Sequence, residues 1–329
     1  GNDFIFIENT TGTGNFHLRT VNGTNLRYRF GVPTTQIVNI TADQDQYQLY
    51  TMGVTTNGAA APTGNSQAIS SLGQPIFTAN NTIDPEDGVN DGFDIGSNGS
   101  NNFWDGQIAE IMVFNETPTA LKQLQIESYL AIKYGFTLSN DNDADATINE
   151  TISGAVNEGD YVLADQGTKV WDSETAYHND VAGVGRDDAM ALGQYQSKSI
   201  NSDAIITIGL TSIAANNESN TNYPAGPITT ANPPGAGFTT NKDFLMWGNN
   251  NGVINTVTET ELICAPEKTL GRTWKIVENG SVGSVQVAAT KTTIDGALTT
   301  PNTIKVLKVA DDAAFTTNVS YVPLTDTTI

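Results

Sequence analysis

The sequence offers few residues that could perform acid–base or nucleophilic catalysis. Only two of its 329 residues are histidines, His17 and His178, and no Gly-x-Ser-x-Gly nucleophile elbow accompanies them. Glycosidases need carboxylates placed together, and the nearest pattern, Glu158-Gly159-Asp160, lacks a third carboxylate. Cys264 is a lone thiol beside apolar neighbours, which is typical of a small buried side chain. The sequence therefore predicts that the protein is not an enzyme.

Two acidic loops have the oxygen-rich composition that Ca²⁺ prefers, since this ion takes about six to eight oxygen ligands. The candidate ligands are Asp84, Glu86, Asp87, Asp91 and Asp94 in the first loop, and Asp141, Asp143 and Asp145 in the second. The second loop opens like an EF-hand loop, but Ala146 replaces the required Gly and Ile152 replaces the final Glu. Ca²⁺ is therefore the one cofactor that the sequence indicates, and solvated acidic turns are the alternative.

The early part of the sequence predicts a β-hairpin with one basic face. Apolar and polar side chains alternate along both arms, as in strands with one buried face. A two-residue loop at Asn22-Gly23 would set Leu18 opposite Arg27, whereas a loop one residue longer sets Leu18 opposite Tyr28. Because a one-residue slip moves every side chain to the other face, we expect the longer loop. The other face then holds four basic residues, His17, Arg19, Arg27 and Arg29.

These four basic residues have two interpretations. Like charges directly opposite each other destabilise a sheet unless another group compensates them. The compensating group could be an anionic glycan or a carboxylate-bearing partner, held by the guanidinium groups. The charge balance favours the second interpretation, in which the protein's own acidic loops compensate them, because acidic residues outnumber basic ones. The sequence leaves both open.

Composition excludes several classes of function. The chain has 36 acidic and 15 basic residues, a net charge of −21 that repels nucleic acids and anionic membrane surfaces. No stretch reaches the roughly 18 apolar residues of a membrane-spanning helix, so we expect no membrane insertion. A single cysteine excludes an internal disulfide framework. The acidic, Lys-poor composition is typical of an extracellular protein, and the start at Gly1 without an initiator Met indicates a piece of a longer one.

The elements that must position these residues are mostly strands. Short alternating patterns fill residues 1–116 and resume in the second half, which predicts an all-β protein. Residues 117–135 carry a broad apolar face and end at Gly135, which predicts one helix. Residues 274–287 predict a hairpin around Asn279-Gly280.

We expect two domains. The first is a β-sandwich at residues 1–138, closed by the helix at 117–135. An acidic linker at residues 139–154 follows, and a second β-sandwich fills residues 155–329.

Several stretches resemble parts of known bacterial surface proteins. Residues 103–114, Phe-Trp-Asp-Gly-Gln-Ile-Ala-Glu-Ile-Met-Val-Phe, resemble the closing strand of laminin-G-like, concanavalin A-like lectin domains. Residues 126–135, Ile-Glu-Ser-Tyr-Leu-Ala-Ile-Lys-Tyr-Gly, are similar to the helix that follows such domains in large secreted proteins of Bacteroidota. In those proteins an uncharacterised β-domain accompanies the lectin-like domain. This β-domain is similar to four further stretches of the chain: Val170-Trp171-Asp172 and residues 179–188, 194–199 and 244–249.

The resemblance covers roughly residues 90–290 and implies a jelly-roll sandwich for the first domain. It also implies secretion by the type IX pathway and a place on the cell surface or in adhesins, including those of gliding flavobacteria. Residues 1–116 supply about eight or nine strand patterns, fewer than such a jelly roll normally uses, so we expect this sandwich to be incomplete.

These observations predict a non-catalytic structural or adhesive module of a large secreted surface protein. Its expected partners are a surface or extracellular polysaccharide, or neighbouring domains of the same protein. The alternative is a carbohydrate-binding accessory module of a polysaccharide-degrading enzyme. A catalytic domain next to the chain would favour that alternative, whereas long arrays of similar modules would favour the adhesin.

Overall fold

A computed structural model describes residues 4–9, 17–21, 25–29, 38–41, 48–55, 66–80, 92–97, 103–116, 118–141, 147–165, 167–224, 238, 240–258, 268–297 and 305–326. These residues form 23 strands, two α-helices and one short 3-10 helix, which confirms the predicted all-β class. The chain divides into two units, residues 1–119 with 141–147, and residues 120–140 with 148–329. Neither α-helix among the described residues is long and apolar enough to span a membrane.

The first unit contains two antiparallel sheets. Its strands are β1 (Phe4–Asn9), β2 (His17–Val21), β3 (Asn25–Arg29), β4 (Val38–Thr41), β5 (Tyr50–Thr55), β6 (Ser66–Ser71), β7 (Gln74–Asn80) and β8 (Gly92–Ile95). One sheet has the order β4-β3-β2-β1-β8, and the other is the meander β5-β6-β7. Because β1 pairs with both β2 and β8, the first and last strands of this unit lie side by side.

The β2–β3 hairpin has the predicted register. Leu18 lies opposite Tyr28, and Arg19 lies opposite Arg27. Leu18 is buried, whereas Arg19 and Arg27 are only partly buried. Because neighbouring residues of a strand point to opposite faces, the arginines lie on the face away from Leu18.

The stretch that resembles a closing strand does not form one. Residues 103–116 are described and contain neither helix nor strand, so the predicted strand is wrong. A strand needs a neighbour that satisfies its backbone N–H and C=O groups, and no described strand pairs with this stretch. The apolar side chains that the sequence pattern assigned to a sheet are therefore exposed: Ile111, Met112, Val113 and Phe114.

The second unit begins with the long helix and continues with short strands. Its elements are α1 (Ala120–Tyr134), β9 (Thr151–Ser153), β10 (Val156–Asn157), β11 (Tyr161–Val162), β12 (Lys169–Trp171), β13 (Asn179–Asp187), β14 (Leu192–Gln194), β15 (Gln196–Lys198), β16 (Ile206–Leu210), β17 (Phe244–Asn249), β18 (Thr256–Thr258), β19 (Lys268–Leu270), β20 (Trp274–Asn279), β21 (Val285–Ala289), α2 (Lys291–Ala297), β22 (Val306–Val309) and β23 (Ser320–Pro323). The 3-10 helix is Asp188–Met190, between β13 and β14.

Two sheets of the second unit form a sandwich. One has the order β14-β13-β17-β20 and the other has the order β15-β16-β21. The core contains side chains of both sheets, among them Val184 of β13, Trp247 of β17 and Ile208 of β16. On the opposite face of this sheet, Gly183 of β13 lies beside Met246 of β17, and both residues are buried. Consecutive residues of β13 and β17 are buried, and they point to alternate faces, so both faces of this sheet are covered.

Helix α1 is grouped with the second unit, whereas the sequence predicted it as the closing helix of the first domain. The side chain of Gln125 donates hydrogen bonds to the backbone oxygens of Leu163 (2.9 Å) and Asp165 (2.6 Å). Ser128 Oγ accepts a bond from the backbone N–H of Val162 (3.0 Å). The helix thus satisfies the free backbone groups of β11 and the residues after it. The second unit begins at residue 120, and β9 lies within the range predicted as a linker; the domain bounds at 138 and 154 stay predictions.

The end of α1 follows the predicted chemistry. Gly135 has φ +77° and donates its N–H to the backbone oxygen of Ala131, 2.8 Å away, as glycine does just after a helix. A Cβ at this position would overlap the backbone oxygen of Lys198. Glycine is therefore required both by the turn and by the close approach of β15.

Strands β20 and β21 do not form the predicted hairpin. Strand β20 pairs with β17, whereas β21 pairs with β16 in the other sheet. The chain crosses between sheets at the turn, where Gly280 has φ +74°. The carboxylate of Asp243 accepts a bond from the backbone N–H of Ser281 (3.0 Å), so this turn is held from β17 and not by pairing of its own two arms.

Candidate functional site

The basic candidates lie together on strands β2 and β3. The backbone register places His17 opposite Arg29, and Arg19 opposite Arg27. Asn39 of β4 lies beside Arg27 in the same row. These four basic residues are called the Arg face below. The structure therefore brings together all four residues that the sequence singled out for anion or glycan binding.

Within the Arg face, Arg27 has an unusual environment. Its Nε is buried and has no hydrogen-bond partner among the described residues. A buried donor left in that state costs free energy, commonly about 1–3 kcal/mol. On β1, Ile7 pairs with Asp94 of β8 on one side and with His17 of β2 on the other. Asp94 therefore lies in line with His17 and Arg29 across the sheet, with strand β1 between them. An acidic residue therefore borders the basic positions on this sheet.

The predicted calcium residues are only partly covered by the structure. Asp94 lies in β8, and Asp141 lies outside any helix or strand, a few residues after the end of α1. The remaining candidates fall outside the described residues: Asp84, Glu86, Asp87, Asp91, Asp143 and Asp145. Among the residues that the structure describes, no group of three or more His, Cys, Asp or Glu could hold a metal ion. Calcium binding by these loops stays a prediction, as does any role of Cys264, which is also outside the described part.

His178 is held between two partners. Its Nδ1 accepts a hydrogen bond from the indole N–H of Trp171 (3.1 Å), and its Nε2 lies 2.9 Å from the backbone oxygen of Leu138. An acceptor at Nδ1 requires the neutral tautomer with the proton on Nε2, which donates to Leu138. Burial lowers the pKa of His178, and this effect exceeds the opposing influence of Leu138 and of the nearby carboxylates. The imidazole therefore links two segments and has no lone pair left for a substrate.

The lowered pKa of His178 predicts a pH-dependent stability. In the unfolded chain, His178 takes up a proton near pH 6.5, the ordinary pKa of histidine, whereas in the folded chain its pKa is lower. The stabilisation of the folded chain by neutral His178 is therefore fully present above pH 6.5, and it is lost as the pH falls toward the pKa of His178 in the folded chain. Urea unfolding between pH 5.5 and 7.5, followed by Trp fluorescence, should show stability rising with pH. The His178→Gln variant should reduce that slope, and an identical slope would contradict the assignment.

Asp160 is the centre of a second buried cluster. This side chain is 0% exposed and accepts bonds from the backbone N–H groups of Asn157 (2.8 Å) and Ser173 (2.8 Å). It also accepts one from Ser173 Oγ (3.0 Å) and lies 3.2 Å from Lys169 Nζ. With its lone pairs used in this way, the carboxylate of the Glu158-Gly159-Asp160 pattern fastens the loops around β11 and β12.

A buried ion pair connects three distant segments. Asp180 accepts bonds from the side chains of Asn201 (2.7 Å) and Asn249 (2.6 Å), and Arg272 Nη1 lies 3.3 Å from its second oxygen. Arg272 also donates to Asp203 Oδ2 (2.7 Å). Asp180 has φ +51°, at a bulge of β13 where the register with β17 shifts. A strained, bulged position persists when its surroundings fix it, and this network supplies them.

The end of β13 carries a third set of charged residues. Arg186 donates two parallel bonds to Asp188, from Nε (2.7 Å) and Nη2 (2.8 Å). These bonds raise the pKa of Arg186. The buried Asp187 caps the 3-10 helix by accepting from the N–H of Ala189 (3.0 Å) and also accepts from Ala164 (3.0 Å). The Arg-Asp-Asp sequence therefore shapes a turn.

The aromatic side chains of the second unit are mostly core. Trp171 and Trp247 are fully buried, and Trp274 packs against the sandwich core. Tyr195 is also buried, in ring contact with Tyr223 at 5.6 Å, and burial raises its pKa to about 12. These rings stabilise the sandwich, and the fully buried ones offer no face to a sugar.

Sequence reasoning did not identify Asp160, Asp180 and Arg272 as a buried polar framework. The available signal was local: Asp180 precedes an apolar strand, and Arg272 stands alone between Gly271 and Thr273. Their partnership could not be inferred, because 92 residues separate Asp180 from Arg272 in the chain.

Comparison with known proteins gives one result. The model of a family described as Domain of unknown function (DUF8202) matches residues 122–329. This range begins inside α1, close to the start of the second unit. No curated protein and no solved structure matches the chain. Since the matched range covers more than half of the 329 residues, the chain belongs to the Domain of unknown function (DUF8202) family.

Proposed function

We propose that the chain is a non-catalytic, extracellular structural or adhesive module of a large secreted bacterial surface protein. Its partner is a surface or extracellular polysaccharide, or a neighbouring domain of the same protein. The proposal draws its location from the acidic composition and from the resemblance of residues 103–135 to Bacteroidota surface proteins. It draws its non-catalytic character from the polar chemistry of the second unit.

The observation that carries the proposal is that buried polar side chains of the second unit are hydrogen-bonded within the fold. A general base needs a lone pair within reach of the substrate. His178 is bonded on both nitrogens, and Asp160 accepts three hydrogen bonds and contacts Lys169. Asp180 is occupied by two amides and a guanidinium. These three groups are therefore engaged in holding the fold.

Binding and turnover can be measured on the same panel of polysaccharides. The panel contains neutral and acidic polymers from bacterial and algal sources, and the whole chain is used. We expect retardation of the protein in gels that contain a bound polymer, with no release of reducing ends over a day. Release of reducing ends that is lost in both the His178→Gln and Asp160→Asn variants would show catalysis. Failure to bind any polymer would contradict a polysaccharide partner.

A further inference from the structure

Most of the protein's arginines lie on the Arg face. The sequence contains five arginines, and three of them, Arg19, Arg27 and Arg29, lie on the β2–β3 hairpin. The other two are paired with carboxylates: Arg186 with Asp188, and Arg272 with Asp180 and Asp203. Arg27 has no ion-pair partner in the part of the chain that the structure describes. In a chain with 36 acidic residues, this one hairpin thus concentrates three of the five guanidinium groups.

The spacing of the four positions is fixed by the sheet. Adjacent strands lie about 4.8 Å apart, and residues two apart along a strand are separated by about 6.7 Å. The two cross-strand pairs, His17 with Arg29 and Arg19 with Arg27, therefore form a compact basic rectangle. An anionic group placed over this rectangle would lie close to several basic positions at once and could accept charged hydrogen bonds from them.

We infer that the Arg face binds acidic polysaccharide, through the carboxylate or sulfate groups of its sugars. The inference deepens the proposed function and rests on it for the polymeric nature of the ligand. Guanidinium groups bind planar carboxylates and sulfates in a forked geometry that a lysine ammonium cannot reproduce. Arg27 is only partly buried and has no ion-pair partner among the described residues, so the part of its side chain that reaches solvent is available to an anionic group.

The acidic character of the whole chain does not prevent this binding. At physiological ionic strength, charges separated by more than about 8 Å are largely screened in water. A bound anionic group therefore responds mainly to the basic positions beside it and less to the net charge of −21. The same screening makes the binding sensitive to salt.

The test is affinity electrophoresis of the whole chain in gels with polygalacturonate, dextran sulfate or neutral dextran. We expect retardation by at least one of the two acidic polymers and weakening by added salt. Replacing both arginines, Arg19→Ala with Arg27→Ala, should weaken binding about tenfold or more, because each replacement removes a guanidinium group that could donate to the anion. The Arg19→Lys, Arg27→Lys variant keeps the charge, and its affinity should lie between that of the wild type and that of the Ala variant.

A control variant, Lys122→Ala with Lys291→Ala, removes two cations from exposed positions elsewhere and should bind like the wild type. Near-ultraviolet circular dichroism checks that each variant is folded. Unchanged binding of acidic polymer by the Ala variant, or an equal loss in the control, would overturn the inference. Retardation by neutral dextran alone would overturn the inference and leave the proposed function standing. Retardation by none of the polymers would count against both.

Discussion

Replacement of Arg272 by alanine is expected to lower the free energy of unfolding of the second unit by about 3–5 kcal/mol. Arg272 is 6% exposed, and its guanidinium reaches Asp180, Asp203 and the backbone oxygen of Gly252 (2.9 Å). The variant leaves the buried carboxylate of Asp180 without its cation. Breaking one member of a buried pair is costly because the remaining charge stays in a medium that solvates it poorly.

Guanidinium chloride unfolding, followed by tryptophan fluorescence, measures this effect. Three of the four tryptophans lie in the second unit, Trp171, Trp247 and Trp274, so the signal reports mainly on that unit. Lys291→Ala is the matched control, because Lys291 is 57% exposed and its ion pair with Asp295 is at the surface. Exposed pairs contribute about 0.2–1 kcal/mol. A loss in Arg272→Ala no larger than that of the control would contradict the assigned role of the network.

Part of the structure could be predicted from the sequence because it depends on local patterns. Local patterns were sufficient for the all-β class, for the β2–β3 register and for the end of α1 at Gly135. Each depends on residues close in sequence: alternation along a strand, the length of one loop, or a glycine after a helix. The Arg face was predictable for the same reason, since a single hairpin brings its four residues together.

Features that depend on distant pairing were not predictable. The hairpin pattern around Asn279 has suitable turn residues, but β20 and β21 find their partners in different sheets. The apolar pattern of residues 107–114 suits a strand, but no described strand pairs with it. Likewise, the residues around Asp180 do not indicate Arg272 as a partner, because Arg272 precedes β20, which the sheet order separates from β13 by β17. Alternation predicts which face a residue occupies, and it does not predict which strand will lie beside it.

The assignment of α1 to the second unit leads to the other large expected effect. Ile132→Ala should lower the free energy of unfolding of the second unit by about 2–5 kcal/mol, as is usual for truncation of a buried aliphatic side chain. Ile132 is 1% exposed, on the buried side of the helix with Leu124, Leu130 and Ala131. The cavity would lie among residues of the second unit, which contains the helix.

The variant distinguishes the two domain boundaries because they predict losses in different places. With the boundary at residue 119, tryptophan fluorescence and hydrogen exchange of β13 and β17 should report the loss, and exchange of β1–β3 should not change. With the helix in the first unit, the pattern would be reversed. Lys122→Ala on the same helix is the control, since Lys122 is exposed and a surface change of this kind alters stability by no more than about 0.5 kcal/mol. Because control and variant share the helix, a difference between them measures packing and not helix propensity, and a loss confined to β1–β3 would return the helix to the first unit.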